Sequence, residues 1–260
     1  MSGTQRENDQ WVRRFHPADS AGVRVVCLPH AGGSAPFFFP FSAALAGNQD
    51  LDVLSVQYPG RQDRRDEPPI DYLPELADQV YRALLGWADR PLVLMGHSMG
   101  AVIGYEVARK FEQAGRHAPL GLIASGRRAP SVYREETAHL LDDQGFIGEI
   151  RGLSGTASSL LEDEELVRMI LPALRADYKA IETHEPAPEP LLRCPIGVLT
   201  GESDPRVSVA EAQAWREHTT GGFHFRSYSG GHFYLNDHQD AVAGAIADYA
   251  AEFAKEAAER

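Results

Sequence analysis

The sequence predicts an α/β fold with a mostly parallel central sheet flanked by helices. Three observations carry this: short β-branched runs alternate with longer amphipathic stretches, one run leads into a Gly-x-Ser-x-Gly turn and then a helical pattern, and an acidic residue and a histidine directly follow two late runs. The strand candidates are Val23–Leu28, Leu51–Val56, Leu92–Met95, Leu120–Ala124, Ile196–Thr200 and Phe223–Tyr228, each bounded by Gly, Pro or polar turn residues. Between them Tyr72–Trp87 and Ala101–Ala114 carry helical periodicity, and the Ala-rich stretch Asp237–Ala258 reads as a closing helix. No repeat of solenoid or propeller length is present, and 260 residues suit a single α/β domain over residues 1–260.

One segment breaks the alternation. From about Arg127 to Arg193 there is no β-branched run, but two helical patterns, Leu140–Leu153 and Glu162–Glu182, precede the Pro-rich stretch Glu185–Pro190. An insertion of this kind between two core strands reads as a lid over an active site, or as an extra helical layer that stays in place.

Composition narrows the function classes. The 260 residues carry a formal net charge of −12, with 24% charged residues. An acidic chain lacks the clustered Lys and Arg that grip phosphate backbones or anionic lipid, so nucleic acid and membrane are not expected partners. Met1–Gln10 is polar and holds no apolar stretch of signal-peptide or membrane-span type, so a cytoplasmic location is expected. Cys27 and Cys194 sit beside apolar runs and read as buried thiols; with no Cys-x-x-Cys spacing, neither disulfide nor metal site is expected.

The chemistry concentrates at strand ends. Leu92–Met95 runs into Gly96-His97-Ser98-Met99-Gly100 and then a helix, which projects the Ser98 oxygen from a sharp turn at the positive end of that helix. A serine hydroxyl is a poor nucleophile at neutral pH and needs a histidine base oriented by an acid. In the order serine, acid, histidine, Asp204 follows Ile196–Thr200 and His232 follows Phe223–Tyr228. Glu202 is the main rival acid and Asp237 a weaker one, while His30, His97, His224 and His238 compete for the base. The developing oxyanion needs two backbone donors: Met99 follows the nucleophile, and Ala31 lies in the Gly-rich loop Pro29–Ser34 after the first strand. That loop lacks the lysine and glycine spacing of a nucleotide-phosphate loop. Phe37, Phe38 and Phe39 read as core or as the lining of an acyl pocket.

With these pieces together, the chain resembles the type II thioesterases, the stand-alone α/β-hydrolases that accompany polyketide and nonribosomal peptide synthases. The resemblance covers nearly the whole chain. It rests on Trp11-Val12-Arg13-Arg14-Phe15, Pro29-His30-Ala31-Gly32-Gly33-Ser34-Ala35, Gln57-Tyr58-Pro59-Gly60-Arg61, Gly96-His97-Ser98-Met99-Gly100-Ala101, Ser125-Gly126-Arg127-Arg128-Ala129-Pro130, Leu174-Arg175-Ala176-Asp177-Tyr178 and Gly230-Gly231-His232-Phe233-Tyr234-Leu235. It implies the α/β-hydrolase fold with a helical lid at about 127–193. It also implies Ser98 as nucleophile, His232 as base, Asp204 as orienting acid, and backbone donors at Ala31 and Met99.

The implied substrate is an acyl chain held as a thioester on the phosphopantetheine arm of an acyl or peptidyl carrier protein. The implied role is editing, the removal of stalled or aberrant acyl groups, with no metal or bound cofactor. Carrier proteins are generally acidic, so docking on this acidic chain calls for local positive charge. Arg61, Arg64 and Arg65 form one candidate cluster and Arg127 with Arg128 another; solvated loop arginines are the alternative for each. The same residues would also serve a carboxylesterase, a lipase or a product-releasing thioesterase. A hydrolase-fold binding protein that has lost its chemistry is a third reading.

Overall fold

In the computed structural model, which describes residues 10–45, 47, 51–154, 163–187 and 189–259, the alternating runs form a seven-stranded sheet. The polar stretch before Gln10, Glu162 at the expected start of a helix, and Pro188 lie outside the described residues. The strands are β1 (Val12–Arg13), β2 (Val23–Leu28), β3 (Leu51–Val56), β4 (Leu92–His97), β5 (Gly121–Ser125), β6 (Ile196–Gly201) and β7 (Phe223–Tyr228). Their order across the sheet is β1-β3-β2-β4-β5-β6-β7, and every pair is parallel except β1 with β3. The six expected strands form, with ends shifted by two residues at most; β1 is an addition.

The helices are α1 (Phe39–Leu45), α2 (Leu73–Leu85), α3 (Met99–Gln113), α4 (Asp143–Ser154), α5 (Glu164–Glu182), α6 (Val209–Gln213), α7 (Tyr234–Asp237) and α8 (Gln239–Ala258). Strand side chains alternate between two apolar layers. Val26, Leu28, Leu92 and Leu94 pack in one with Leu76 and Val80 of α2 and Ile103 and Val107 of α3. Val25, Cys27, Val93 and Met95 pack in the other with Phe41 of α1 and Ile246, Tyr249 and Phe253 of α8. Covering both faces explains why the inner strands read as continuous apolar runs. Among the described residues no helix is long and apolar enough to cross a membrane.

Two features place the site. Strand β2 pairs with β3 on one side and β4 on the other, so the chain reverses its direction of travel across the sheet between β2 and β4. The loops leaving the carboxyl ends of β2 and β4 therefore flank a crevice, the usual location of ligands in open α/β sheets. The second feature is the segment between β5 and β6, which contributes α4 and α5. Phe146, Ile150, Val167 and Leu174 form a small apolar cluster of its own, while Ala180 and Ile181 at the end of α5 join the main core. Asp163 caps α5 by accepting from the N–H groups of Glu165 at 2.9 Å and Leu166 at 3.1 Å.

Candidate active site

Ser98 sits at the turn between β4 and α3 with φ 55° and ψ −116°, a sparsely allowed conformation for a residue with a side chain. The turn needs its two glycines, because a methyl on Gly96 would overlap the carbonyl of Gly100, and one on Gly100 the carbonyl of Leu28. Hydrogen bonds fix both sides of the elbow: Ser98 N–H donates to Ser125 O at 2.8 Å, and Ala101 N–H to Ser98 O at 3.0 Å. The serine thus stands at the first turn of a 15-residue helix, whose dipole favours developing negative charge there.

His232 follows β7 and Asp204 follows β6. The ring Nδ1 of His232 lies 2.8 Å from Asp204 Oδ2, with both side chains buried. A carboxylate only accepts, so Nδ1 is the donor of this pair. Asp204 is oriented in turn through its other oxygen, which accepts from the Arg206 N–H at 2.8 Å. A cavity of about 40 Å³ brings Ser98, His232, Ala31 and Met99 to one surface. Its far wall comes from the segment between β5 and β6, with Arg127, Tyr178, Ile181 and Glu182.

The rival residues have other partners. Glu202 accepts from the Ser227 hydroxyl at 3.0 Å, and Asp237 lies in α7. His224 is held between Glu252 at 3.0 Å and Glu256 at 2.9 Å, and His238 bonds Ser229 at 3.0 Å. His97 is fully buried beneath His232, their ring centres 5.1 Å apart, with its Nδ1 3.0 Å from Ser125 Oγ. Ser125 in turn meets the Tyr234 hydroxyl at 2.7 Å. Burial, followed by the neighbouring His232 and His30, pushes His97 well below the usual imidazole range. Burial and His232 push His30 down to about 3. Both rings are therefore neutral near pH 7. Of the three phenylalanines, Phe38 is core, Phe37 packs edge-on to His30 with ring centres 4.6 Å apart, and Phe39 is half exposed.

The candidate docking arginines require a correction. Arg61, Arg64 and Arg128 are buried and hydrogen-bonded to carboxylates, so they present no free charge to a partner. Arg61 pairs with Asp177, Arg64 with Glu67 while lying over the Trp11 ring, and Arg128 with Glu136. Arg127 is also largely enclosed; burial and the charge of Arg128 push it down to about 10. Burial works against the charge of Glu136, yet the Arg128 hydrogen bond and the charges of Arg127, Arg128 and Arg206 hold it at about 2. Arg65 alone of the five is well exposed, at 76% of its side chain. The sequence reading also missed Asp177, although the Leu174–Tyr178 motif contains it.

Comparison with known proteins identifies the family. A family model described as a thioesterase domain matches residues 23–249. A probable cadicidin biosynthesis thioesterase of Streptomyces griseus is 52% identical over 92% of this chain, which spans 65% of that protein's length. Thioesterase PikA5 of Streptomyces venezuelae is 50% identical over 92% of the chain and 85% of its own. The solved structure of the type II thioesterase BorB, from the borrelidin biosynthetic cluster, superimposes with a TM-score of 0.86 at 50% identity, covering 92% of this chain and 97% of that one. RedJ, from the prodiginine pathway of Streptomyces coelicolor, gives 0.83 at 35% identity, over 88% of this chain and 92% of that one. The chain belongs to the thioesterase family, and BorB, which it matches at 50% identity, is a type II thioesterase of a biosynthetic cluster.

Proposed function

We propose that this chain hydrolyses acyl thioesters held on the phosphopantetheine arm of acyl or peptidyl carrier proteins, clearing stalled or aberrant acyl groups from a polyketide or nonribosomal peptide synthase. The observation that carries the reading is that His232, held from behind by Asp204, opens onto the same small cavity as Ser98, Ala31 and Met99.

In the acylation half-reaction Ser98 Oγ attacks the thioester carbonyl carbon while His232 Nε2 takes its proton. Negative charge gathers on the carbonyl oxygen, where the N–H groups of Ala31 and Met99 are the donors. Asp204 holds the ring tautomer and stabilises the imidazolium. The C–S bond then breaks, and the thiolate leaves with the proton from His232. A thiol is several units more acidic than an alcohol, so its departure needs little acid help. In the second half-reaction water attacks the acyl-Ser98 ester with its proton passing to His232, a second oxyanion forms at the same donors, and the carboxylic acid departs as Ser98 recovers its proton. Every step is carried by the chain's own residues.

Thiol release from a short acyl-phosphopantetheine carrier protein tests the reading, with Ser98→Ala and an oxygen ester of the same acyl group run in parallel. Release that depends on Ser98 and favours the carrier thioester supports it. Faster oxygen-ester cleavage indicates an esterase, and silence on both substrates indicates a binding protein.

A further inference from the structure

The loop that contains Ala31 is held by residues far away in the chain. Gly32, the next residue, takes φ +74°, and its N–H donates to Asp177 Oδ2 at 2.7 Å. Asp177 is fully buried and lies within α5. Both of its oxygens also receive Arg61, Nη1 to Oδ2 at 2.5 Å and Nη2 to Oδ1 at 2.8 Å. Arg61 reaches back to the loop by donating to Gly33 O at 3.3 Å. Beneath it Tyr58, whose ring centre is 5.3 Å from the guanidinium carbon, donates its hydroxyl to Pro29 O at 3.3 Å. The loop's own turn, Gly33 N–H to His30 O at 2.8 Å, completes the frame around Ala31.

We propose that Asp177 and Arg61 are positioning residues for the reaction: they aim the Ala31 N–H at the reacting carbonyl and make that aim conditional on α5 being docked. This rests on the assignment of Ala31 as an oxyanion donor. An oxyanion donor is useful only if it is fixed before charge develops. A glycine at positive φ beside it is the softest point of such a loop. Asp177 removes that freedom with a charge-assisted hydrogen bond, shorter and stronger than a neutral one. The side chain that does so belongs to the segment between β5 and β6, and Leu174, one helical turn earlier, lies against Gly32. Lifting α5 would withdraw the acceptor from Gly32 and leave Arg61 buried without its counter-charge, a costly state. This helix therefore cannot swing away as a simple lid while the oxyanion donors stay in place. A substrate has to reach Ser98 with α5 seated.

The test compares two double variants of the full chain, R61M/D177N and R61M/D177L. Both remove the buried ion pair as a pair, a change that cores often tolerate. The Asn variant keeps an oxygen to accept from Gly32, and the Leu variant does not. Competent sites are counted by the end point of Ser98 labelling with a fluorophosphonate. We then measure kcat per labelled site, KM for the acyl carrier, and affinity for an acyl trifluoromethyl ketone that mimics the tetrahedral intermediate.

The expected result is a kcat per site about tenfold or more lower for R61M/D177L than for R61M/D177N, with similar KM and a parallel loss of ketone affinity. Equal kcat per site and equal ketone affinity in the two variants would overturn the proposal and leave the pair a purely structural one. If the unaltered chain turns over thioester without labelling at Ser98, the assignment of the reaction fails, and the positioning role with it.

Discussion

The serine elbow and the segment between β5 and β6 face each other across one cavity, yet different forces hold them. At the elbow, backbone sterics and a dry apolar core decide everything: Gly96 and Gly100 allow a contact no side chain could enter, and Met99, Ala101 and Ile103 are fully buried. The inserted segment has a small apolar cluster of its own, joins the main core through Ala180 and Ile181, and is otherwise tied down by charge. Arg175 holds Asp143 at 2.8 Å and the carbonyls of His139 and Leu141, Arg206 holds Glu149 at 2.9 Å, and Lys179 meets Asp71 at 2.6 Å. Close packing gives a single arrangement that tolerates nothing. Exposed ion pairs are weak one by one and are screened by salt. The proposed nucleophile thus sits where packing sets the geometry, while the opposite wall of its cavity depends on ion pairs, buried at Arg61–Asp177 and exposed at its outer face.

The contrast can be broken most severely at the chemistry. Ser98→Ala should lower kcat for thioester hydrolysis by about 10⁴-fold or more while the unfolding midpoint stays near that of the parent, measured by thiol release and thermal unfolding. Asp204→Asn should cost about 10³- to 10⁴-fold through the wrong imidazole tautomer, and Glu202→Gln no more than about threefold. The reverse ranking would move the acid to Glu202. At the level of stability, Gly100→Ala should cost about 3 kcal/mol or prevent folding, as judged by denaturant unfolding, because the Leu28 carbonyl cannot retreat.

A gentler probe is acid. His97 and His30 are neutral in the fold but free to protonate once unfolded, so their neutral form stabilises fully above the ordinary value of 6.5. That stability is lost as pH falls from there toward the folded values, about 3 for His30. Each should contribute about 1.4 kcal/mol per pH unit inside that window. Replacing His97 by Asn should visibly flatten the dependence of unfolding free energy on pH between neutrality and mild acid. The smallest effect belongs to the exposed ion pairs of α5: Lys179→Met should change stability by less than about 1 kcal/mol, with even that difference fading in high salt.

Much of this was legible in the sequence, for reasons that differ by region. Long apolar runs covered on both faces declare themselves, and so did the strand–elbow–helix segment around Ser98. Strand β1 escaped because two residues, Val12 and Arg13, carry no periodicity; they are strand only through pairing with Val56 and Ser55. Glu202 and Asp204 share one turn and could be ranked but not separated by sequence, since the choice depends on which carboxylate meets His232. Arg61, Arg64, Arg127 and Arg128 differ from their sequence reading for a related reason. Charge is local in sequence but compensation is not, and the partner of Arg61 lies in α5, well over a hundred residues further on. The Phe37–Phe39 run divided among three environments because a helical turn sends neighbours in different directions.

The two cysteines take on a practical meaning once the reaction is considered. Neither Cys27 nor Cys194 forms a disulfide, both are buried, and burial pushes the Cys27 thiol up to about 12. Thiol–disulfide exchange requires an accessible thiolate, and neither residue offers one. The proposed reaction liberates a pantetheine thiol at every turnover, and buried thiols would keep the chain from forming mixed disulfides with that product. A thiol-specific dye used to follow the proposed reaction would likewise meet a silent background from the protein's own thiols.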